Sequence, residues 1–154
     1  VKSMLANVLD AARHASGVDH VALVGPDAYD TDVTLLADPG GGLNATLQSA
    51  ARDINASRLI ILPADLPRVR RADIEALASA EVAAIAPDRA GTGTNALSLP
   101  LPAARDFIFQ FGPGSFKRHC AEAERLHLAI QILRRDTLAL DIDTPHDLET
   151  ARAP

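Results

Sequence analysis

Apolar positions along the chain follow two alternating spacings, which predict helices and strands in turn. Leu5, Val8, Leu9 and Ala12 recur three or four residues apart, which is the spacing of one helix face. The other predicted helices cover residues 43–54, 73–80 and 116–127, and a last one opens at 144–147. The predicted strands are short apolar runs bounded by glycine, proline or polar residues, at 20–24, 33–36, 58–62, 82–86, 96–99, 129–133 and 137–142.

This succession of elements predicts an α/β protein, because repeated strand–helix units place helices on both faces of a mainly parallel sheet. We therefore expect a three-layer α/β/α sandwich formed by a single domain over residues 1–154. A chain of this length can bury a core of its own. In the helix at 116–127, we expect Phe116, Cys120 and Ala123 to face that core.

The composition narrows the range of partners. With 15 Lys and Arg against 20 Asp and Glu, the net charge is −5, which argues against a broad nucleic-acid surface. No apolar stretch reaches the ~18 residues of a membrane-spanning helix, so we expect no membrane partner. The single cysteine, Cys120, excludes an internal disulfide and is typical of a reducing compartment. An acidic chain that binds an anion needs a local device, such as a metal ion or glycine-rich backbone.

Acidic side chains follow two of the apolar runs. Asp65 comes after the run that begins at Arg58. Asp141 and Asp143 alternate at the end of the run that begins at Leu138. Open α/β sheets bind ligands at the carboxyl ends of their strands, and alternating residues of a strand share one face. Because clustered carboxylates repel one another, they favour a cation such as Mg²⁺ between them. The simpler alternative is that Asp65 caps a turn.

Three glycine-rich segments join the predicted elements, at 38–44, 88–95 and 111–115. Glycine lets backbone N–H groups approach an anion closely, and a helix N-terminus attracts negative charge. Thr92 and Thr94 add hydroxyl donors to the middle segment. Each segment also has an ordinary interpretation: Asn44 and Ser115 as helix caps, and the middle segment as a surface hairpin. His119, in the next helix, fits a surface histidine better than a catalyst.

Carboxylates at strand ends together with glycine-rich anion loops are typical of metal-assisted phosphoryl or nucleotidyl transfer. Four motifs also occur in a familiar order: Pro63-Ala-Asp65-Leu-Pro67, Gly91-Thr-Gly-Thr94-Asn95, Phe111-Gly-Pro-Gly-Ser115 and Leu140-Asp-Ile-Asp-Thr-Pro145. They resemble the guanylyltransferases of deazaflavin coenzyme F-420 biosynthesis. These belong to the nucleotidyltransferases that are similar to the molybdenum-cofactor guanylyltransferase. The similarity extends over most of the chain, from the first predicted helix to the last.

The resemblance implies a fold, an activity and substrates. The fold is that of the nucleotidyltransferases, which is nucleotide-diphospho-sugar transferase-like. The activity is transfer of GMP from GTP to the phosphate of a three-carbon phospho-acid, with release of pyrophosphate. Phosphoenolpyruvate is the favoured acid, and 2-phospho-L-lactate and 3-phospho-D-glycerate are alternatives. Family members are cytoplasmic, and a homodimer is compatible with the sequence.

The resemblance also implies roles for individual residues. The implied catalytic residues and Mg²⁺ ligands are Asp65, Asp141 and Asp143. The implied ligands of the small acid are Thr94, Gly112 and Ser115. The residues implied to lie near the guanosine of GTP are Gly41, Gly42, Leu43 and Asn44.

One part of the family pattern is not found. The family begins with a strand and a basic loop that handles the nucleotide phosphates, whereas this sequence starts at Val1, in the family's first helix. We expect the N-terminal strand and phosphate loop to be missing from the sequence rather than from the protein. Two alternative functions stay open at this point: a cytidylyl- or guanylyltransferase acting on molybdopterin, and an inactive nucleotide-binding module.

Overall fold

The computed structural model describes residues 2–26, 29, 32–36, 38 and 40–140. The helices are α1 (Lys2–Arg13), α2 (Leu43–Asp53), α3 (Arg71–Ala78), α4 (Ser115–Arg125) and α5 (Asp136–Ala139). The strands are β1 (Ala22–Val24), β2 (Thr34–Leu36), β3 (Arg58–Ile61), β4 (Ala83–Pro87), β5 (Thr94–Pro100) and β6 (Ile130–Ile132). Within this part of the chain, no helix is both long and apolar enough to cross a membrane.

The four-stranded sheet has the order β3–β5–β4–β6. β5 is antiparallel to β3 and to β4, whereas β4 and β6 are parallel. β3, β4 and β6 therefore run in one direction and β5 alone runs against them, which confirms a mainly parallel sheet. β1 and β2 form a separate parallel pair.

Two apolar clusters lie on opposite faces of this sheet, because successive side chains of a strand point to opposite sides. On β4, Ala84 and Ala86 pack in a cluster with residues of α1 and α3. The alternate residues, Ala83 and Ile85, pack in a second cluster with residues of α2 and α4. The sheet is thus covered by helices on both faces, and the expected three-layer α/β/α sandwich is confirmed.

The strand expected at 137–142 is wrong in its described part, because residues 136–139 form the short helix α5. A short apolar run fits a strand or a helical turn equally well, so its spacing alone does not decide between them. Here the turn is closed by the N–H groups of Leu138 and Ala139, which donate to the carbonyl of Arg135. It buries Leu138 in the cluster of α1 and α3. The helix predicted to open at 144–147 lies outside the described residues.

One edge of the sheet collects most of the segments that the sequence singled out. β3, β4 and β6 end at this edge, and β5 begins there because it runs in the opposite direction, with Thr94 paired to Pro87. The chain leaves β3 towards Asp65, and it leaves β6 towards α5. Ligands of open α/β sheets bind at the carboxyl ends of the parallel strands, so this edge is where a site is expected.

We expect Ile85→Ala to lower the free energy of unfolding by about 3 kcal/mol, because it leaves a cavity in the core. Ile85 is fully buried, whereas Ile132, its partner in register on β6, is 45% exposed. Ile132→Ala removes the same atoms from the same strand pair and is the matched control, expected to cost under about 1 kcal/mol. Denaturant unfolding measures both, and equal losses would contradict the assigned core.

Candidate active site

The hairpin between β4 and β5 is held closed by its own aspartate. Asp88 Oδ1 accepts the backbone N–H of Thr92 at 2.8 Å, and Oδ2 accepts the Thr92 hydroxyl at 3.3 Å. A Cβ on Gly93 would come within 2.7 Å of Asp88 Oδ2, so any other residue here would have to displace the Asp88 carboxylate. The segment is a hairpin, as the ordinary interpretation had it. The donors of Thr92, which the sequence suggested for a bound anion, are instead used by Asp88.

The third glycine-rich segment leads into α4, and its cap is Gly114 rather than Ser115. Gly114 has a φ of 72°, in the left-handed region that favours glycine. The N–H of Ser115 donates to the carbonyl of Gly112, and the N–H of Phe116 donates to the carbonyl of Thr92. These contacts join the β4–β5 hairpin to the start of α4. Two N–H groups at the start of the helix are therefore already used, and they are not free to donate to an anion.

Thr94, Ser115 and His119 form a buried polar cluster where β5 meets α4. The Ser115 hydroxyl lies 3.2 Å from Thr94 Oγ1, and His119 Nδ1 lies 3.0 Å from the same oxygen. The backbone N–H of Gln110 donates to His119 Nε2 at 3.0 Å. Thr94 and Ser115, two of the three residues implied to bind the small acid, are therefore in direct contact. The third, Gly112, is linked to them through the N–H of Ser115.

His119 is fully buried between aromatic rings, and this burial favours its uncharged form. The ring of Phe111 meets it edge-on at 4.7 Å between centroids, and that of Phe107 lies at 5.7 Å. Burial lowers the pKa of His119 to about 4, with the nearby Arg118 cation adding to the effect and Glu122 opposing it. At neutral pH the imidazole is uncharged, with one nitrogen free to accept a hydrogen bond.

The face of α4 expected from Phe116, Cys120 and Ala123 packs against the second apolar cluster, and polar side chains of the helix are buried beside it. Ala123 is buried, whereas Phe116 and Cys120 are half-buried against the same cluster. The other buried side chains of this helix are Ser115, His119 and Glu122. Each of the three holds a neighbouring segment: Ser115 contacts β5, His119 accepts from Gln110, and Glu122 accepts the Ile108 N–H at 2.8 Å. Polar side chains can be buried when their hydrogen bonds are satisfied in this way.

The first glycine-rich segment is tied to the third one through Asn44. Its Oδ1 accepts the N–H of Phe111 at 2.8 Å, and its Nδ2 donates to the carbonyl of Phe111 at 3.1 Å. Asn44 is therefore not the cap of α2, a position that Gly42 takes with a φ of 81°. Gly41 and Gly42 are exposed, and Leu43 is 53% exposed at the first position of the helix. The three glycine-rich segments thus meet around the start of α4.

Asp65 lies half-buried in the turn after β3, and the cap of α3 is Arg70, not Asp65. The other two implied Mg²⁺ ligands, Asp141 and Asp143, lie outside the described residues. The described part of the chain contains no group of three His, Cys, Asp or Glu suited to a metal ion. Leu66, next to Asp65, and Leu138, three residues before Asp141, belong to the same buried cluster.

A family model described as "Guanylyl transferase CofC like" matches residues 1–151. The chain belongs to this family. A phosphoenolpyruvate guanylyltransferase of Sphaerobacter thermophilus is 42% identical over 161 residues, which cover 97% of the chain and 77% of that protein. Another, of Rubrobacter xylanophilus, is 38% identical over 163 residues, which cover 97% of the chain and 78% of the relative.

Two solved structures have the same fold as this CofC-like protein. A 4-diphosphocytidyl-2C-methyl-D-erythritol synthase gives a TM-score of 0.69 at 13% identity, covering 97% of the chain and 88% of that structure. The 2-C-methyl-D-erythritol 4-phosphate cytidylyltransferase of Thermus thermophilus gives 0.67 at 16% identity, with 96% and 86% covered. The fold expected from the resemblance is confirmed, and at such low identity this likeness concerns the fold alone.

His119 differs from the expectation for this CofC-like chain. It was expected at the surface, and it is buried beside Thr94 instead. A signal was present, since Ser115, His119 and Glu122 follow the spacing of one helix face together with Ala123. The larger apolar side chains of Phe116 and Cys120 suggested a neighbouring face. Only the backbone donors facing the helix reveal why polar residues occupy its inner side.

We expect the free energy of unfolding to fall as the pH drops from about 6.5 towards 4, because the unfolded chain then binds a proton at His119 that the folded chain excludes. Its folded pKa of about 4 lies below the ordinary value of 6.5. Between these values the unfolded chain binds more protons than the folded one, so stability rises with pH. The full effect is on the order of 3 kcal/mol. Denaturant unfolding at several pH values across this interval measures it.

The matched variant for that measurement is His119→Asn, which cannot be charged at this position. Its unfolding free energy should vary less with pH than that of the unchanged protein. Glu122 and the other acidic groups are present in both proteins, so the difference between the two reports His119. Identical pH dependence in the two proteins would contradict the buried, uncharged histidine.

Proposed function

We propose that this protein transfers GMP from GTP to the phosphate of phosphoenolpyruvate and releases pyrophosphate, as a step of deazaflavin coenzyme F-420 biosynthesis. The observation that carries the proposal is membership of the CofC-like guanylyl transferase family, with relatives named phosphoenolpyruvate guanylyltransferase at 38–42% identity. The substrates are therefore a guanosine nucleotide and a small phosphorylated acid. No observation favours molybdopterin as the acceptor or a non-catalytic nucleotide-binding module.

The small acid is proposed to bind where the three glycine-rich segments meet. The hydroxyls of Thr94 and Ser115 supply hydrogen-bond donors there, and Gly112 leaves its backbone accessible because it carries no side chain. Arg118 lies across this loop, where it donates to the carbonyls of Pro113 and Gln110 at 2.6 Å and 3.0 Å. Its positive charge next to the loop favours an anion, which supports this location in a chain of net charge −5.

The guanosine is proposed to lie along Gly41, Gly42, Leu43 and Asn44. The exposed side chain of Leu43 offers an apolar surface for the flat face of a base. Because Asn44 uses its amide on the backbone of Phe111, its proposed contribution is to position the segment next to the acid site. This arrangement would place the two substrates side by side, with their phosphates towards the sheet edge.

Asp65, Asp141 and Asp143 are proposed to hold Mg²⁺, since carboxylate oxygens are the ligands that this hard cation prefers. Of these, Asp65 is a half-buried residue that follows β3 at the edge where the parallel strands end, which fits such a role. When bound, the ion neutralises charge between two polyanions that otherwise repel each other. This metal site is a proposal from the family resemblance and from the chemistry of the three side chains.

The reaction requires alignment rather than proton abstraction. An oxygen of the acid's phosphate attacks the α-phosphorus of GTP, and the bond from that phosphorus to the bridging oxygen of the β-phosphate breaks as pyrophosphate leaves. Because the attacking oxygen is already anionic, no side chain has to act as a general base. The proposed tasks of Thr94, Ser115 and the glycine-rich segments are to hold the acid in line and to exclude water.

A substrate panel tests the proposed function directly. We expect pyrophosphate release from GTP with phosphoenolpyruvate, and a product whose mass corresponds to the guanylylated acid. The same assay with 2-phospho-L-lactate, 3-phospho-D-glycerate and molybdopterin tests the acid, and CTP in place of GTP tests the nucleotide. Absence of pyrophosphate release with every small acid would refute the proposal. Turnover of molybdopterin alone would show that molybdopterin is the acceptor instead.

Replacing Asp65 tests the proposed metal site. Asp65→Asn keeps the size of the side chain and removes its charge, so kcat/KM is expected to fall at least about a hundred-fold. The matched control is Asp53→Asn, which removes a charge from an exposed position at the far end of α2. When activity is titrated with Mg²⁺, the concentration that gives half-maximal activity should rise only in the Asp65 variant. Equal activity of both variants would contradict this role.

The location and assembly of the enzyme are part of the same proposal. We place it in the cytoplasm, in agreement with its single free cysteine, Cys120. Association as a homodimer stays a prediction, which light scattering of the purified protein tests.

A further inference from the structure

We propose that His119 is a positioning residue that leaves one hydroxyl proton of the Thr94–Ser115 pair directed at an acceptor oxygen of the small acid. The inference rests on the proposed function, because it assumes that this acid binds beside the pair. It adds a residue and a physical reason to that site: the tautomer of a buried histidine decides whether the two hydroxyls have a donor to spare.

The tautomer follows from the backbone of Gln110. Its N–H points at His119 Nε2 from 3.0 Å, so that nitrogen must be the acceptor. A backbone N–H has no alternative proton arrangement, unlike a hydroxyl or a water molecule. In a neutral imidazole the proton is then on Nδ1, which lies 3.0 Å from Thr94 Oγ1 and donates to it. Complete burial of the ring supports the neutral form.

The two hydroxyls now have more protons than internal acceptors. Thr94 Oγ1 receives the imidazole proton, and the single contact of 3.2 Å between Thr94 and Ser115 can use only one of their two hydroxyl protons. Within the described residues neither hydroxyl has another acceptor. One hydroxyl proton is therefore left for a group outside the protein. A carboxylate or phosphate oxygen of the small acid is such a group.

The opposite tautomer would remove this donor. If Nε2 carried the proton, Nδ1 would accept from the Thr94 hydroxyl, and Thr94 would accept from Ser115. Both hydroxyl protons would then be used inside the protein, and the pair would offer the acid only lone pairs, which repel an anion. The position of one proton on a side chain that does not touch the acid thus sets the polarity of the site.

Two variants of His119 separate its two hydrogen bonds. His119→Asn places an amide near the position of Nδ1, where its N–H group can still donate to Thr94. His119→Gln places an amide near the position of Nε2, where its oxygen can still accept from Gln110 but no donor reaches Thr94. Each variant keeps one contact and loses the other, so each is the control for the other.

The KM for phosphoenolpyruvate should distinguish the two variants. With His119→Gln we expect it to rise about ten-fold or more, because no donor then occupies Thr94 Oγ1 and nothing holds the spare hydroxyl proton in the direction of the acid. With His119→Asn we expect a rise of less than about three-fold, since the donor to Thr94 is kept. The KM for GTP should stay within about two-fold in both variants. Thermal unfolding and circular dichroism establish that both are folded.

A merely structural histidine gives another pattern. In that case a loss of stability would lower the amount of folded enzyme and the apparent kcat, and the KM for the acid would not depend on which contact is kept. Equal increases in both variants, or an unchanged KM in His119→Gln, would overturn the inference.

A second measurement tests the tautomer without any turnover. Proton–nitrogen correlation spectra of the protein labelled with ¹⁵N in histidine, at neutral pH, should show one imidazole protonated on Nδ1, and its signals should vanish in His119→Asn. A signal for His119 protonated on Nε2 overturns the inference, even if the enzyme is active. If instead the tautomer is as proposed and no small acid is turned over, the proposed function has failed, and the deduction of the tautomer stands.

Discussion

The hydrogen bond from the Gln110 backbone to the uncharged ring of His119 is the interaction on which the site depends. It holds the segment before the third glycine-rich loop against α4, and it fixes which nitrogen of the ring faces Thr94. A charged imidazole cannot accept this bond, so the surroundings must keep the ring neutral. The aromatic rings of Phe107 and Phe111 do so by excluding water from it.

Side chains bonded to backbone hold the rest of the site together. Asn44 holds Phe111, Glu122 holds Ile108, and Asp88 holds Thr92. Each of these bonds joins a loop to a regular element or closes a loop on itself. Glycine-rich segments are costly to order because glycine loses more conformational freedom than other residues. These contacts offset part of that cost before any substrate arrives, which is the physical meaning of a preorganised site.

The sequence predicted the architecture well because the helices and strands of an α/β sandwich follow from the local spacing of apolar residues. The apolar runs at Arg58–Ile61 and Ala83–Pro87 became strands, and the helix spacing near Leu5 became α1. The direction of β5 is not visible in such patterns, since a strand has the same alternation whichever way it runs. The strand expected at 137–142 became α5 in its described part, because a four-residue run carries too little periodicity to separate the two.

The sequence predicted several residues of the candidate site but not the hydrogen bonds that connect them. Thr94, Gly112 and Ser115 were singled out by their motifs, and the structure brings them together. His119 was not, because its value comes from a backbone amide nine residues earlier and a hydroxyl on another element. The same holds for Asn44 and Asp88. A residue type indicates which hydrogen bonds a side chain can form, whereas the fold decides which partner it bonds to. Asp141 and Asp143, outside the described residues, stay predictions.

The reversed course of β5 gives the protein a compact means of changing its chemistry. Because β4 ends and β5 begins at the same edge, the proposed acid site is bordered by one continuous short stretch, from Pro87 to Thr94. Shortening or lengthening that hairpin would reshape this border and leave the strands on either side in register. The acceptor specificity of an enzyme with this topology can therefore change through a short insertion or deletion in the hairpin, while the sheet stays as it is.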